Sequence, residues 1–241
     1  RSDLIGNGAS PIELLNIRRE AMFTGPDVTE NKLTMVNLDF AHEVSSNISF
    51  SGNLFWREND TDAFNGDGTE FAVCEFTGGD GLIEGLEEDD IEELGIDDDD
   101  LCEGQFSDAE ALEDFLNNLA SSLDENEEYN IEGFEDDELS GTGVLADDAI
   151  NNISNRVQQS FGGDFQWTLK GTFAGYEGQI VLGGSYFHGE SDFRSVLELA
   201  EIDPLTRVTT GLGTGTFVDV AATLINTETE TLSTYMTSTL D

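Results

Sequence analysis

The chain has 241 residues, of which 52 are acidic and nine are basic, and its formal net charge is −43. This charge excludes a general nucleic-acid-binding protein, because neutralising phosphates requires Lys and Arg in quantity. No apolar run approaches the roughly 18 residues that a membrane-spanning helix needs, which excludes a helical membrane protein.

Residues 1–30 contain several glycines and prolines and have no sustained hydrophobic periodicity, which predicts a loop. We expect this loop to be an extracellular segment. The chain begins at Arg1 without an initiator methionine or a signal segment, and it ends at Asp241 within a strand-like pattern. We therefore expect the sequence to be a piece of a longer protein.

Residues 31–58 alternate between apolar and polar side chains with a period of two, which predicts a β-hairpin. The first strand is expected over 31–42 and the second over 47–58, joined by a short turn. The apolar side chains of the second strand share one parity, at Ile48, Phe50, Leu54 and Trp56. Its polar parity includes Asn53 and Arg57.

Residues 59–150 form an acidic region without a basic residue. We expect this region to form a large extracellular loop. The region contains both cysteines, Cys74 and Cys102, at a spacing that fits no zinc motif. In an oxidising compartment they would form a disulfide, and closing a loop of that length contributes about 3.5 kcal/mol in the chain-entropy model. Two free thiols are the alternative.

Carboxylates in this loop invite a calcium interpretation. Asp60, Asp62 and Asp67 offer oxygen ligands at short spacing, but an EF-hand loop starting at Asp60 would need an acidic or amide residue where Phe64 stands. The run 97–100 consists of aspartates without the glycine that turns a loop around an ion. We expect weak, non-specific cation binding and no dedicated metal site.

A helix is predicted within the acidic loop. Ser107 and Glu110 stand at the spacing of a capping box. Apolar side chains follow at helical spacing, at Leu112, Phe115, Leu116 and Leu119. A shorter turn of helix is expected around Leu86, Ile91 and Leu94. The expected role is packing of the loop on itself or over a pore, and binding of a partner protein is the alternative.

Residues 151–190 repeat the alternation and predict a second hairpin, with strands over 153–171 and 179–190. Residues 191–223 are rich in Gly and Thr and are expected to form a second extracellular loop. The final segment, 224–241, alternates weakly and is predicted to supply one more barrel strand.

The connections between these strands are alternately short and long. Successive connections of an up-and-down meander fall on opposite ends of the sheet, so the short turns share one end and the long loops the other. Outer-membrane barrels have this asymmetry, and strands of ten or more residues exceed the length of about 5–6 that is usual in globular proteins. The predicted fold class is all-β: an antiparallel up-and-down meander forming a partial transmembrane β-barrel, with a large acidic loop that contains a short helix.

The two parities of the strands suit different surroundings. The polar parity, which includes Asp39 and Gln166, would face a wet interior. Arg57 and Lys170 also lie on it, and a basic residue facing lipid at the midplane would cost about 2–4 kcal/mol. Trp56 falls near a strand end, where the aromatic girdles of barrels lie; packing in an ordinary core is the alternative.

The order of these segments resembles the barrel region of TonB-dependent receptors. The likeness is one of strand texture and touches most of the chain outside 76–146. It is carried by residues 16–21 (NIRREA), 31–34 (NKLT), 47–57 (NISFSGNLFWR), 65–71 (NGDGTEF), 179–186 (QIVLGGSY) and 192–193 (DF).

This resemblance implies a 22-stranded barrel with an N-terminal plug in the outer membrane of a Gram-negative bacterium, importing a scarce nutrient such as a ferric siderophore. The implied partners are the lipid bilayer, a small-molecule or metal-chelate ligand, and an energy-coupling TonB complex reached through parts outside this chain; no cofactor is implied. The sequence departs from the family in lacking a plug and a TonB box and in having about five strands, so it could not close a barrel by itself.

An enzyme is not expected. The two histidines, His42 and His188, are assigned structural roles, and no nucleophile elbow, zinc-protease motif or phosphate-binding loop is present. The alternative function is a secreted acidic, cation-binding β-protein or adhesin domain, which should have shorter strands and repeated Asp/Gly motifs. No ligand-contacting residue is assigned, and the acidic excess is expected to favour cations or cationic complexes.

Overall fold

The structure, a computed structural model, describes residues 2–4, 10–85, 101–122, 129–135, 137–173 and 175–240. Antiparallel strands make up most of these ranges. Within them, no helix combines the length and the apolar character needed to cross a membrane. The turn of helix predicted around Leu86, Ile91 and Leu94 and the aspartate run 97–100 lie outside the described residues.

The described elements are, in chain order, β1 (Ser2–Leu4), α1 (Ile12–Ile17), β2 (Asp27–Ser45), β3 (Ile48–Asp67), β4 (Phe71–Phe76), β5 (Gly79–Glu84), α2 (Ala109–Ser122), β6 (Glu132–Gly133), β7 (Leu139–Gly141), β8 (Ala149–Phe173), β9 (Tyr176–Ile202), β10 (Thr209–Gly211), β11 (Thr216–Val218), a 3₁₀ turn (Asp219–Ala221) and β12 (Thr223–Leu240).

The five long strands follow one another as an up-and-down meander. β2, β3, β8 and β9 are neighbours in this order, and β12 pairs with β9. Each predicted strand range falls on one of these five strands, which confirms the mostly antiparallel, up-and-down β-structure. Among the described residues β2 and β12 do not pair with each other, so no closed barrel is found.

The long connections begin later and end earlier than predicted. β3 continues to Asp67 and β8 begins at Ala149, so the acidic loop does not fill 59–150. β9 likewise continues to Ile202, well into the loop predicted over 191–223. On β3 the alternation of apolar and polar residues stops before the strand does, because carboxylate and amide side chains make the cross-strand contacts there.

The sequence had predicted that residues 1–30 form a loop, but the segment also contains regular structure. It contains α1, and β2 begins at Asp27, where β1 pairs with it antiparallel. These elements are too short, or too polar at their starts, to give a periodic signal.

The chain divides into two compact units. Unit 1 comprises Arg1–Thr29, Ala63–Ser154 and Ser195–Ala222, and unit 2 comprises Glu30–Asp62, Asn155–Arg194 and Thr223–Asp241. Unit 1 therefore holds the long connections and the strand segments next to them. Unit 2 holds the remainder of the five long strands.

The main core of unit 1 forms where α2 packs against the antiparallel sheet of β4, β5 and β6. Leu112, Leu116 and Ala120 are fully buried at helical spacing. Cys74, also fully buried, belongs to the same cluster and is joined to Cys102 by a disulfide. The acidic connection thus has an apolar interior of its own.

Asp108, rather than Ser107 as predicted, caps the N-terminus of α2. Its Oδ1 accepts a hydrogen bond from Ala111 N at 2.9 Å, while Ser107 Oγ donates to Asp108 Oδ2 at 2.9 Å. The predicted box was one residue too early. A carboxylate at this position accepts a free backbone N–H and also interacts favourably with the helix dipole.

Unit 1 also contains a buried polar network. Thr209 Oγ1 donates to Asn151 Oδ1 at 2.6 Å, and Asn151 Nδ2 donates to Glu198 Oε2 at 2.9 Å. Asn151 and Thr209 are both buried. Because each of these polar groups has a partner, the network fixes the positions of β8, β9 and β10 without leaving an unsatisfied amide.

Truncating the core of unit 1 should destabilise it strongly. Leu116→Ala removes a fully buried side chain and should cost about 2–5 kcal/mol, from lost burial and the cavity left behind. Val144→Ala is the control, because Val144 is 62% exposed in the same unit. Thermal denaturation followed by helical circular dichroism would contradict the assignment if both variants lost the α2 signal at the same temperature.

Candidate functional site

One face of the sheet in unit 2 is covered by exposed or half-buried apolar side chains. Because successive residues of a strand point to opposite faces, alternate positions of all five strands contribute. We call this surface the apolar face; it comprises Val36, Leu38, Phe40, Phe50, Leu54, Trp56, Phe161, Phe165, Trp167, Leu182, Tyr186, Leu232, Met236 and Leu240. The exposure of its large side chains reaches 78% at Leu232. A continuous exposed apolar surface of this kind marks an interaction site.

Aromatic rings connect neighbouring strands across the apolar face. The ring centroids of Phe50 and Trp167 are 5.1 Å apart, and those of Phe161 and Tyr186 are 6.0 Å apart. A shallow apolar groove of about 410 Å³ runs between Leu54, Phe161 and the neighbouring strands. The rings thus contact one another along the sheet and do not enter a core.

The opposite face, which we call the polar face, is held together by side-chain hydrogen bonds. Asn53 Nδ2 donates to Asn37 Oδ1 at 2.7 Å and to Asp39 Oδ1 at 2.8 Å, which joins β2 to β3. Arg57 Nε donates to Ser160 Oγ at 2.8 Å, which joins β3 to β8. These residues lie on the parity that the sequence assigned to polar surroundings.

Tyr235 extends the polar face to β12. Its hydroxyl donates to Gln166 Oε1 at 3.1 Å. Its ring lies over Gly183, which has no side chain and therefore leaves space for the ring. Gly162 likewise leaves space for the Phe55 ring, and the ring centroids of Phe55 and Phe187 are 6.3 Å apart. A side chain at Gly162 would place its Cβ 3.0 Å from the Phe55 ring.

The apolar face ends in a row of carboxylates. On β3, β9 and β12 the next residues of the same parity beyond Trp56, Tyr186 and Leu232 are polar or charged, on the side that leads into the long connections. We call the seven acids found there the acidic row: Glu58, Asp60, Asp62, Glu190, Asp192, Glu228 and Glu230. The apolar face itself carries no acidic, Lys or Arg side chain.

Amides and a lysine pair with the acidic row on β3. Asn155 Nδ2 donates to Asp60 Oδ1 at 3.1 Å and to Asp62 Oδ1 at 2.8 Å. Lys32 Nζ lies 4.0 Å from Asp60 Oδ2. Asp60 and Asp62, considered as calcium ligands from the sequence, are therefore occupied by protein partners. Asp67 Oδ1 accepts from Gly68 N at 3.0 Å.

His188 lies between two carboxylates of the acidic row. Its Nε2 is 3.2 Å from Glu190 Oε1 and its Nδ1 is 3.8 Å from Glu228 Oε1. The Phe161 ring lies against the imidazole, with centroids 5.0 Å apart. The sequence interpretation missed this group, because Glu228 is distant in sequence; the His-x-Glu spacing at 188 and 190, which puts both side chains on one face of a strand, was the available signal.

The described part of the acidic connection has an open cleft of about 700 Å³ in unit 1. Asp80, Glu110, Glu132 and Glu135 lie along it. Glu113 also lines it, but its Oε2 accepts a hydrogen bond from Ile131 N at 2.8 Å. The cleft has the negative charge expected of this connection.

A carboxylate also organises the turn after β9. Asp203 Oδ1 accepts hydrogen bonds from Thr206 N at 2.6 Å and from Leu205 N at 3.0 Å. The hydrogen bonds from Thr206, then that from Leu205, lower the pKa of Asp203, and the charge of Arg18 lowers it further. The ionised carboxylate therefore holds this turn of unit 1.

No family model matches the sequence, and no curated protein and no solved structure matches it significantly.

Adding a methyl group at Gly162 should destabilise the sheet of unit 2. In Gly162→Ala the Cβ would lie 2.5 Å from Tyr186 O and 3.0 Å from the Phe55 ring, and such overpacking costs about 1–3 kcal/mol. Gly171→Ala is the matched control on the same strand, because its nearest contact is Phe173 at 3.9 Å. Thermal denaturation followed by β-sheet circular dichroism tests this; equal midpoints for both variants would disprove the close packing.

The turn at Asp203 should weaken in acid. Because the folded-state pKa is lowered, the carboxylate stabilises the fold above the pKa of the unfolded chain, and this contribution is lost as the pH falls through the folded-state pKa. The Asp203 carboxyl ¹³C shift should titrate with a midpoint below the ordinary value of about 3.9, and the Thr206 amide shift should follow it. Asp203→Asn, which keeps an oxygen acceptor, should abolish the amide titration; a midpoint at or above the ordinary value would contradict the assignment.

Proposed function

We propose that this chain is part of an outer-membrane β-barrel whose apolar face contacts lipid, in a receptor of the TonB-dependent type that binds and imports a scarce nutrient such as a ferric siderophore. The observation that carries the proposal is the difference between the two faces of unit 2. One face is largely exposed, apolar and free of acidic, Lys and Arg side chains, and the other is rich in polar side chains and cross-linked by hydrogen bonds. A wall between lipid and a wet interior needs this arrangement.

The height of the apolar face supports the same conclusion. On β3 the apolar parity runs from Ile48 to Trp56, which corresponds to roughly 26 Å of extended strand. A tilt of about 40° reduces this to about 20 Å, close to the roughly 25 Å apolar band of outer-membrane barrels. Trp56 and Tyr186 lie at one border of the band, where barrels carry aromatic girdles.

The strands are longer than a bilayer requires, and the acidic row accounts for the excess. About 9–11 tilted residues cross a membrane, whereas β8 has 25 residues and β9 has 27. On β9 the next four residues of the apolar parity beyond Tyr186 are His188, Glu190, Asp192 and Arg194, all polar or charged. In this proposal they stand in water above the outer leaflet, on the side of the long connections.

The receptor role rests on the resemblance to TonB-dependent receptors, with ligand capture assigned to the long connections. Their negative charge favours cations or cationic complexes. Energy coupling would require the inner-membrane complex and segments outside this chain. Competition between two chelates of equal shape and opposite charge would test the preference, and equal competition by the anionic one would refute it.

A secreted acidic, cation-binding β-protein or adhesin domain is the second candidate. Two observations favour it: unit 1 has apolar clusters of its own, and the sheet is open in the described residues. The exposed apolar face favours the barrel, because a soluble domain would have to leave this surface in water. Lipid contact is therefore the property to measure.

Detergent phase partitioning of the purified chain distinguishes the two functions. The chain should enter the detergent-rich phase, because detergent would shield the apolar face from water there. Leu54→Arg places a charge on this face at a cost of about 2–4 kcal/mol, which should lower partitioning roughly 30-fold or more. Ser51→Arg is the matched control on the opposite parity of the same strand.

The partitioning of these two variants distinguishes the two candidate functions. Loss of partitioning in Leu54→Arg but not in Ser51→Arg supports the lipid-facing surface. A chain that stays monomeric in the aqueous phase, with no difference between the two variants, would reject the barrel and favour the secreted domain. Circular dichroism of both variants verifies that the strands are retained.

A further inference from the structure

We propose that His188, Glu190 and Glu228 bind one divalent transition-metal ion of the zinc class, which ties β9 to β12. Their ligand atoms all lie within 4.8 Å of one another. The inference goes beyond the proposed function and does not depend on it, because all three residues belong to unit 2 whether or not its apolar face contacts lipid.

The separations suit one small ion after a modest side-chain movement. Two ligands bound to zinc at about 2.0–2.2 Å lie roughly 3.0–3.5 Å apart, and His188 Nε2 is 3.2 Å from Glu190 Oε1. Glu228 must bring its carboxylate from the Nδ1 side of the ring. Its side chain is 68% exposed, so solvent leaves it room to rotate.

The imidazole is already oriented. The His188 side chain is only 18% exposed, and the Phe161 ring lies against it with centroids 5.0 Å apart. A ligand held in place before the ion arrives loses less conformational entropy on binding. The exposed carboxylates, in contrast, can adjust their geometry and leave positions for water ligands.

The imidazole selects the class of metal. Carboxylates alone suit calcium and magnesium, whereas an imidazole nitrogen suits zinc, copper, nickel and iron. The neighbouring acids Asp192 and Glu230 add negative charge, which raises the local cation concentration. Asn226 Nδ2, which donates to Asp192 Oδ1 at 3.0 Å, keeps β9 and β12 together beside the site.

The location indicates a structural rather than a transport role. His188 lies on the parity of the apolar face, just beyond Tyr186, and not on the polar face. A metal there would link two neighbouring strands where hydrophobic contacts end. The rival interpretation is an imidazolium that makes two ion pairs without any metal.

Zinc titration of the full chain tests the site. The protein is first stripped with a chelator and then titrated with zinc chloride near neutral pH by calorimetry, in excess calcium that occupies the non-specific carboxylates. One equivalent should bind. His188→Ala should weaken binding at least about tenfold, as losses around metal sites do, and Glu228→Gln should weaken it while keeping the imidazole.

His42→Ala is the matched control. His42 is the other histidine of the chain and lies beside Phe50, with ring centroids 5.6 Å apart, so its removal should leave zinc binding unchanged. Zinc should also raise the unfolding temperature of the wild type and not that of Glu228→Gln. Binding that is unaltered in both His188→Ala and Glu228→Gln, or that excess calcium abolishes, would overturn the proposal and leave the ion-pair interpretation.

Discussion

The alternation of side chains along paired strands is the constraint on which the rest of the structure depends. Each residue of a long strand is committed to one of two faces, and a slip of one residue would exchange the faces completely. The polar face prevents such a slip. Asn53 reaches two acceptors on β2, and Arg57 reaches Ser160 on β8, so the apolar side chains can remain on one surface without a core to hold them there.

The sequence predicted the elements in which this alternation is visible. All five long strands were predicted because apolar and polar residues alternate within them. The outer part of β3 was missed because Glu58, Asp60 and their neighbours continue the strand with polar side chains on both faces, so that pairing persists where the hydrophobic period has ended. The helix within the acidic loop was predicted from Leu112 and Leu116, whose spacing survives in the structure, while its cap was placed one residue early.

Contacts between residues on strands that are far apart in the sequence could not be predicted in the same way. Contact between His188 and Glu228 depends on the register of β9 against β12, and a sequence with 52 acids offers many equivalent pairs. Contact between Phe55 and Phe187 depends on a third strand, β8, lying between β3 and β9. Periodicity assigns a residue to a face, but only pairing assigns it a neighbour.

The open borders of the sheet have a consequence for the chain in isolation. Along the parts of β2 and β12 that lie in unit 2, the described residues show no further strand beside them, and a strand border of this kind carries a row of backbone donors and acceptors that can template another chain. Copies of this polypeptide should therefore associate border to border as concentration rises, forming ribbons or aggregates. In a longer parent polypeptide, further strands of the same chain would pair with the borders of β2 and β12 first and thereby suppress self-assembly.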